Sequence, residues 1–371
     1  MSSNERAVHD TDASGAIART IARIAPLDRA SMEVAAARLD QLTKPPGSLG
    51  RLEAIAIQLA GIRGQLVIDI SRPAIAVFAG DHGVATEGVS PYPPEVTRQM
   101  VANFAAGGAA INVLARAARA DLVVVDVGVA GDRLVPAPTS DSAVRFVDAR
   151  VRPGTRNLSK EPAMTRAEML AAIAVGTGIA DELAAAGCDL LGVGEMGIGN
   201  TTASSAIVAV LTGRPAAEVT GSGTGLDAAG VRRKAVIVDA AIRRHDLDPR
   251  RPLDVLAAVG GFEIAALVGA ILGAAASGIP VVLDGFITGA AALIAVRLAP
   301  ELPARLLASH RSAEPGHRVA LEALGLEPIF DLGLRLGEAS GAALAMPTIT
   351  AAVRILGEMA SFADAGVANR D

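Results

Sequence analysis

The stretch Asp189–Ala206, DLLGVGEMGIGNTTASSA, decides the fold. Leu190, Leu191 and Val193, interleaved with Gly192 and Gly194, read as a buried strand. The chain then turns through Glu195-Met196-Gly197-Ile198-Gly199, and an apolar helical run begins at Ala203, just after Asn200-Thr201-Thr202. Strand, glycine turn and helix start form the layout that cradles a phosphate. Glycines let the backbone approach, free N–H groups point outward, and the helix dipole favours an anion. A tight turn capped by Asn or Thr, with no ligand, would read the same way. Gly192-x-Gly194-x-x-Gly197 also matches a dinucleotide-binding pattern. The helix, however, opens near Asn200, after a fourth glycine, and no acidic residue ends a following strand to hold a ribose. NAD binding is therefore disfavoured.

Outward from this stretch, Pro73–Ala79 (PAIAVFA), Leu122–Val127, Pro280–Asp284, Leu306–Ser309 and Ile329–Leu332 read as further strands. Small, polar, glycine-rich loops follow them. That repetition predicts an α/β protein, a doubly wound and mainly parallel sheet with its site outside the carboxyl ends of the strands. Ala16–Ala25, Asp28–Leu42 and Arg51–Ile62 read as helices that precede any strand. Thr165–Ala186 is a helix leading into the central strand. Leu253–Ala276 starts with a strand-like or turn segment, AAVGGFE, and then becomes a helix. Gly131–Pro162 is polar and too long for a bare connector, so it is a functional excursion or a β-hairpin. The uncharged run Ile264–Leu283 has the length of a membrane span. Ser277-Gly278-Ile279-Pro280 divides it into a buried helix and a buried strand instead.

With 371 residues, 51% of them hydrophobic and 2% aromatic, the core must be built from Ala, Val, Leu, Ile and Gly. A net charge of −5 gives no basic footprint for nucleic acid. Cys188 is the only cysteine, so there is no intrachain disulfide framework, and it reads as buried rather than nucleophilic. The polar opening MSSNERAVHDTDASGAIART shows no apolar signal core, and the expected location is the cytoplasm.

Few residues offer chemistry. Glu338, in RLGEASGAALA, sits among small and apolar neighbours, which would raise its pKa towards a general-base range. The alternative is an ordinary Glu in a helix's first turn. Glu195 lies inside the glycine turn, where a carboxylate beside a phosphate makes sense if a cation forms between them, such as an oxocarbenium ion on ribose. Otherwise it bonds local N–H groups. Lys234 is either a phosphate partner or, with Arg232 and Arg233, part of a solvated basic helix face. His310, Glu314 and His317 lack helical alignment because Pro315-Gly316 intervenes, and no third His or Cys is near, so no metal is assigned. Asp81 and His82 read as a loop-fixing pair.

Taken together, KPPGSLGRLE, AGDHGV, GVSPYPPEVTRQM, GEMGIGNTT, GTGLD, LDGFITGAAAL, SHRSAEPGH and DLGLRLGEASGAA resemble the nicotinate-nucleotide–dimethylbenzimidazole phosphoribosyltransferases, in order, from about Lys44 to Ala343. One departure is Ser222 in TGSGTGLD, where an arginine is expected. The resemblance implies transfer of ribose 5-phosphate from nicotinate mononucleotide to dimethylbenzimidazole, with inversion at the anomeric carbon and release of nicotinate, in cobalamin assembly.

The resemblance implies neither cofactor nor metal. It makes Glu338 the base. Ser90 and Gln99, with Tyr92 nearby, would line the benzimidazole pocket. Gly197, Gly199, Asn200 and Thr201 would hold the nucleotide, with Gly223, Lys234 and Ser312 near its phosphate and Asp284 facing the same cavity. It also implies six parallel strands and a homodimer in which the neighbour's small domain helps close the site. The expected division is a helical domain from residues 1–70 and 345–371 and a nucleotide- and base-binding domain from 71–344. Two rival classes stand beside this reading: a nucleotide-binding protein without chemistry, and an NAD-dependent oxidoreductase.

Overall fold

The computed structural model describes residues 15–134 and 144–368. Seven strands form one sheet: β1 (Pro73–Gly80), β2 (Asp121–Gly128), β3 (Val144–Asp148), β4 (Leu190–Met196), β5 (Val281–Leu283), β6 (Leu306–His310) and β7 (Pro328–Phe330). Their order is β3-β2-β1-β4-β5-β6-β7, and every neighbouring pair is parallel. The winding reverses between β1 and β4, the switch point where such sheets bind ligands.

The strand count corrects the expected six. β3 lies in the segment read as an excursion or hairpin, but it pairs parallel to β2, with Leu122 opposite Val144. It is a half-exposed edge strand whose Arg145 reaches Glu182 on the neighbouring helix, so its sequence lacks an apolar run. Of the two readings of AAVGGFE, strand-like or turn, the structure has the turn, entered from a helix. The helix Pro252–Val259 stops at Gly260-Gly261, and the helix Phe262–Ala276 starts immediately after. That second helix is buried through Ala275 and is followed by β5, which accounts for the long apolar run inside the protein core.

Side-chain alternation assigns the two faces. On β1, Ala74, Ala76 and Phe78 join the apolar cluster built with the helices Arg166–Ala185, Asn200–Thr212, Phe262–Ala276 and Phe286–Leu298. Ile75, Val77 and Ala79 join the opposite cluster, with Arg29–Gln41, Arg51–Arg63 and Ser340–Glu358. A core nearly without aromatics needs close backbone approach. Where Arg166–Ala185 crosses Phe262–Ala276, a Cβ on Gly176 would stand 1.8 Å from the Ala266 carbonyl oxygen, and one on Gly269 2.0 Å from that of Ile173.

The early and late helices meet on the second face. Arg38 Nε donates to the Leu356 carbonyl at 2.6 Å, Thr43 N–H donates to that of Ala360 at 3.1 Å, and Leu42 pairs with Ser361 in an isolated antiparallel bridge.

Candidate active site

The central turn forms as its glycines demand. A Cβ on Gly194 would lie 2.2 Å from the Ala339 nitrogen, so only glycine lets the start of the last long helix rest on β4. A Cβ on Gly197 would lie 2.2 Å from the Gly80 carbonyl oxygen at the end of β1. Gly199 is left-handed, and the helix opens at Asn200 as expected. Ile198 N–H donates to Thr97 Oγ1 at 3.0 Å, which ties the turn to the helix Glu95–Ala105. Thr97 was not foreseen, because a lone Thr in an amphipathic helix carries no sequence signal.

A cleft of about 80 Å³ opens beyond the ends of β4, β5 and β6. Glu195, Gly197, Asn200, Thr201, Gly223 and Ser312 line it, all expected there. Phe286, His310, Glu314, Arg335 and Leu336 line it as well and were not assigned to the nucleotide. Arg335 Nη1 donates to the Gly223 carbonyl at 3.2 Å, and Ser90 Oγ is 2.8 Å from Thr224 Oγ1, so two loops close over the cleft. Tyr92 is 53% exposed and Gln99 is also exposed. Tyr92 N–H donates to Ser90 Oγ at 3.1 Å. Of the three residues expected around the base, Ser90 alone is hydrogen-bonded to a loop of the cleft.

Lys234 is 1% exposed, unlike Arg232 and Arg233, which the helix Ala228–His245 turns outward. This corrects the solvated-face alternative. The signal was present: Gly230, Lys234, Val238 and Ala241 lie at i, i+4, i+8 and i+11 and, with Ala235, form the buried stripe of that helix. Its Nζ donates to Thr201 Oγ1 at 2.7 Å. Burial brings its pKa down to about 8, opposed by the charge of Glu314. A buried ammonium beside the helix start and the glycine turn makes an anion site.

Two buried carboxylates lie near the cleft: Glu195 lines it, and Glu338 lies outside its lining but next to Gly337, which is part of it. Glu195 accepts from Asn200 Nδ2, and burial, reinforced by Glu263, Asp284 and Glu338, holds its pKa well above the ordinary carboxylate value. Glu338 is 4% exposed, and its Oε2 has no hydrogen-bond partner among the described residues. Burial raises its pKa, partly offset by the main-chain N–H of Ile111. It is not in a helix's first turn: it precedes the helix Ser340–Glu358 in a left-handed conformation.

Asp284 does not face the cleft in the way expected. Its carboxylate accepts N–H groups of Ala339, Gly341 and Ala342 at 3.1, 2.6 and 3.3 Å. The end of β5 meets the unsatisfied donors of a helix start, and these take the carboxylate. Burial still pushes its pKa up to about 7.

Asp81 and His82 fix their loop through separate partners rather than as a pair. Asp81 Oδ2 accepts the Ala130 N–H at 2.8 Å, and His82 Nε2 lies 2.6 Å from Glu263 Oε1. Glu314 Oε1 accepts the Gly223 N–H at 2.8 Å, and His317 Nδ1 accepts that of Ser312 at 2.9 Å. Ser222 holds its own turn, its carbonyl accepting from Gly225 and Leu226.

A phosphoribosyltransferase family model matches residues 24–367. The nicotinate-nucleotide–dimethylbenzimidazole phosphoribosyltransferase of a Roseiflexus species is 53% identical over 354 residues, covering 95% of this chain and 98% of that protein. The Pseudomonas putida protein of the same name is 53% identical over 345 residues, covering 93% of this chain and 96% of its own. A crystal structure of the Thermus thermophilus phosphoribosyltransferase of this name matches with a TM-score of 0.86 at 48% identity, over 93% of this chain and all of that one. With the winding, the anion pocket and the buried carboxylates in place, this chain belongs to the nicotinate-nucleotide–dimethylbenzimidazole phosphoribosyltransferase family.

Proposed function

We propose that this chain transfers ribose 5-phosphate from nicotinate mononucleotide to 5,6-dimethylbenzimidazole, giving α-ribazole 5-phosphate and nicotinate for cobalamin assembly. What carries the reading is one cleft whose lining includes Thr201, bonded to the buried Lys234 ammonium, and the buried Glu195, with Glu338 close enough to act on Glu195 and next in sequence to the lining residue Gly337. The phosphate sits at the turn Gly197–Thr201 with Lys234, Gly223 and Ser312. The bond from the anomeric carbon to the pyridinium nitrogen breaks, and nicotinate leaves with the bonding pair. Positive charge on the ribose is stabilised by Glu195. The benzimidazole nitrogen bearing the lone pair attacks from the opposite face, which inverts the carbon. The proton on the other ring nitrogen passes to Glu338, whose burial raises its pKa and so makes the carboxylate a stronger base.

Ser90, Tyr92 and Gln99 bound the acceptor. The cleft, at about 80 Å³, is smaller than the ~300–1,000 Å³ of typical small-molecule sites, so substrate entry parts the loops joined by Ser90–Thr224 and Arg335–Gly223. We also assign the protein to the cytoplasm, as a homodimer in which the neighbour's helical domain covers the cleft. Leu336, 56% exposed in the lining of the cleft, supports that cover. The contacts of Arg38 and Leu42 with residues 356–361 support one helical unit from both chain ends.

Mixing the protein with both substrates should release nicotinate and a product of α-ribazole 5-phosphate mass in equal amounts. Nucleotide binding without release would favour a non-catalytic binder, and a requirement for NAD an oxidoreductase. A panel of other benzimidazoles, adenine and phenols, scored by product mass, identifies the preferred acceptor.

A further inference from the structure

The residues before the helix Ser340–Glu358 have an uncommon backbone. Gly337, Glu338 and Ala339 are consecutively left-handed, with φ of 83°, 62° and 63°. Two of the three carry a Cβ, and such conformations persist only where surrounding structure imposes them. Among the described residues, the other left-handed non-glycines are Arg119 and Asp246, each a single residue just past a helix's C-terminal end. There the conformation is a routine helix stop. A pair at a helix start is not.

Two strands impose it. On β4, the Glu195 carbonyl accepts the Glu338 N–H at 3.2 Å, and Gly194 leaves no room for Ala339 to move inward. Just past β5, Asp284 supplies both carboxylate oxygens: Oδ2 to Ala339 N–H, Oδ1 to those of Gly341 and Ala342. The helix has no cap of its own, since Ala339 occupies the N-cap position without a side-chain acceptor. Asp284 is itself held, 1% exposed, with its carbonyl accepting from Ser309 Oγ at 3.0 Å.

We propose that Asp284 is a positioning residue for the transfer step: by capping the helix start it locks the left-handed pair Glu338-Ala339 and so aims the Glu338 carboxylate. This rests on the reading of Glu338 as the base. A conventional N-cap places the residue before the helix in extended backbone, which would turn the Glu338 side chain elsewhere. The carboxylate is specifically required, because both oxygens must accept. The amide of Asn would set N–H against N–H at one of them.

The test is Asp284→Asn, nearly unchanged in volume. Its kcat should fall about 10- to 100-fold, as expected when a reacting group is displaced without being removed. KM and Kd for nicotinate mononucleotide should stay within about twofold, since Lys234 and the β4 turn hold the phosphate. Combined with Glu338→Gln, it should cost nothing further, because Asp284 acts only through Glu338. Unchanged kcat in Asp284→Asn overturns the proposal. So do losses that multiply in the double variant, or nucleotide affinity that falls in parallel, both marks of a general structural role. Should the Asn protein fail to fold, Asp284→Ser, which still accepts one N–H, carries the same readings. Absence of nicotinate release by the unaltered protein would instead overturn the transferase reading, so the two failures are separable.

Discussion

Glu338 and Glu195 are both buried carboxylates, and their partners divide their work. Glu195 accepts from Asn200 and is surrounded by other acids, whereas one Glu338 oxygen has no partner among the described residues. Glu338→Gln preserves volume but cannot take a proton, so turnover should drop about 10²–10⁴-fold. Nucleotide affinity by calorimetry and the melting temperature should barely change. Near-normal turnover would move the base to Glu195. Lys234 gives a pH dependence. With a pKa brought down to about 8, it loses its proton above that value in the empty protein. Affinity for nicotinate mononucleotide should therefore decline as pH rises from 7.5 to ~9.5, and Lys234→Met should be weaker throughout and flat over that window. Lys234 also illustrates what was legible: its apolar stripe is in the sequence, but Arg232 and Arg233 beside it mask the signal.

At the scale of elements, the helix Arg166–Ala185 has a reciprocal cap. Thr165 Oγ1 accepts the Glu168 N–H at 3.2 Å, and Glu168 Oε2 accepts that of Thr165 at 2.7 Å. Arg156 forks onto the same carboxylate at 2.6 and 3.0 Å, anchoring the segment after β3. Burial opposes ionisation of Glu168, but these bonds outweigh it and lower its pKa from 4.5 to about 2. A depressed carboxylate pKa stabilises the fold above the unfolded value and loses that contribution as pH falls through the folded one. Denaturant midpoints should therefore fall between pH 4.5 and 2, and Glu168→Gln should flatten that window. At β4, Gly194→Ala would place a Cβ 2.2 Å from the Ala339 nitrogen. It should lower both turnover and melting temperature, because the Glu338 turn must shift. Neither β3 nor the helix before Gly260-Gly261 was legible: an edge strand needs no apolar run, and the short apolar run before a glycine pair suits a strand or a helix equally well.

Across the whole molecule, the chain closes on itself where its early and late helices share one face of the sheet. Arg38 reaches the carbonyls of Leu356 and Met359 at the end of the helix that Glu338 precedes. Arg38→Ala should cost roughly 1.5–3 kcal/mol, as for hydrogen bonds from a charged donor, seen in the denaturant midpoint. Because Arg38 lies at the other end of that helix from Glu338, kcat at 25 °C should be preserved. A large fall in kcat would mean that the helix transmits disorder along its length.

The sequence by itself determined the parallel sheet, the glycine turn after β4 and the identity of the acids and the lysine, because apolar period and glycine spacing are local properties of the chain. Only the tertiary structure decided where those groups point. It turned Lys234 inward to Thr201, sent Asp284 to a helix start instead of the cleft, separated Asp81 from His82, and set Glu338 in left-handed backbone. The physical reason is that a local pattern fixes which side of an element is buried, whereas a buried polar group must find its partner on another element. Which element that is depends on the order in which the strands are wound.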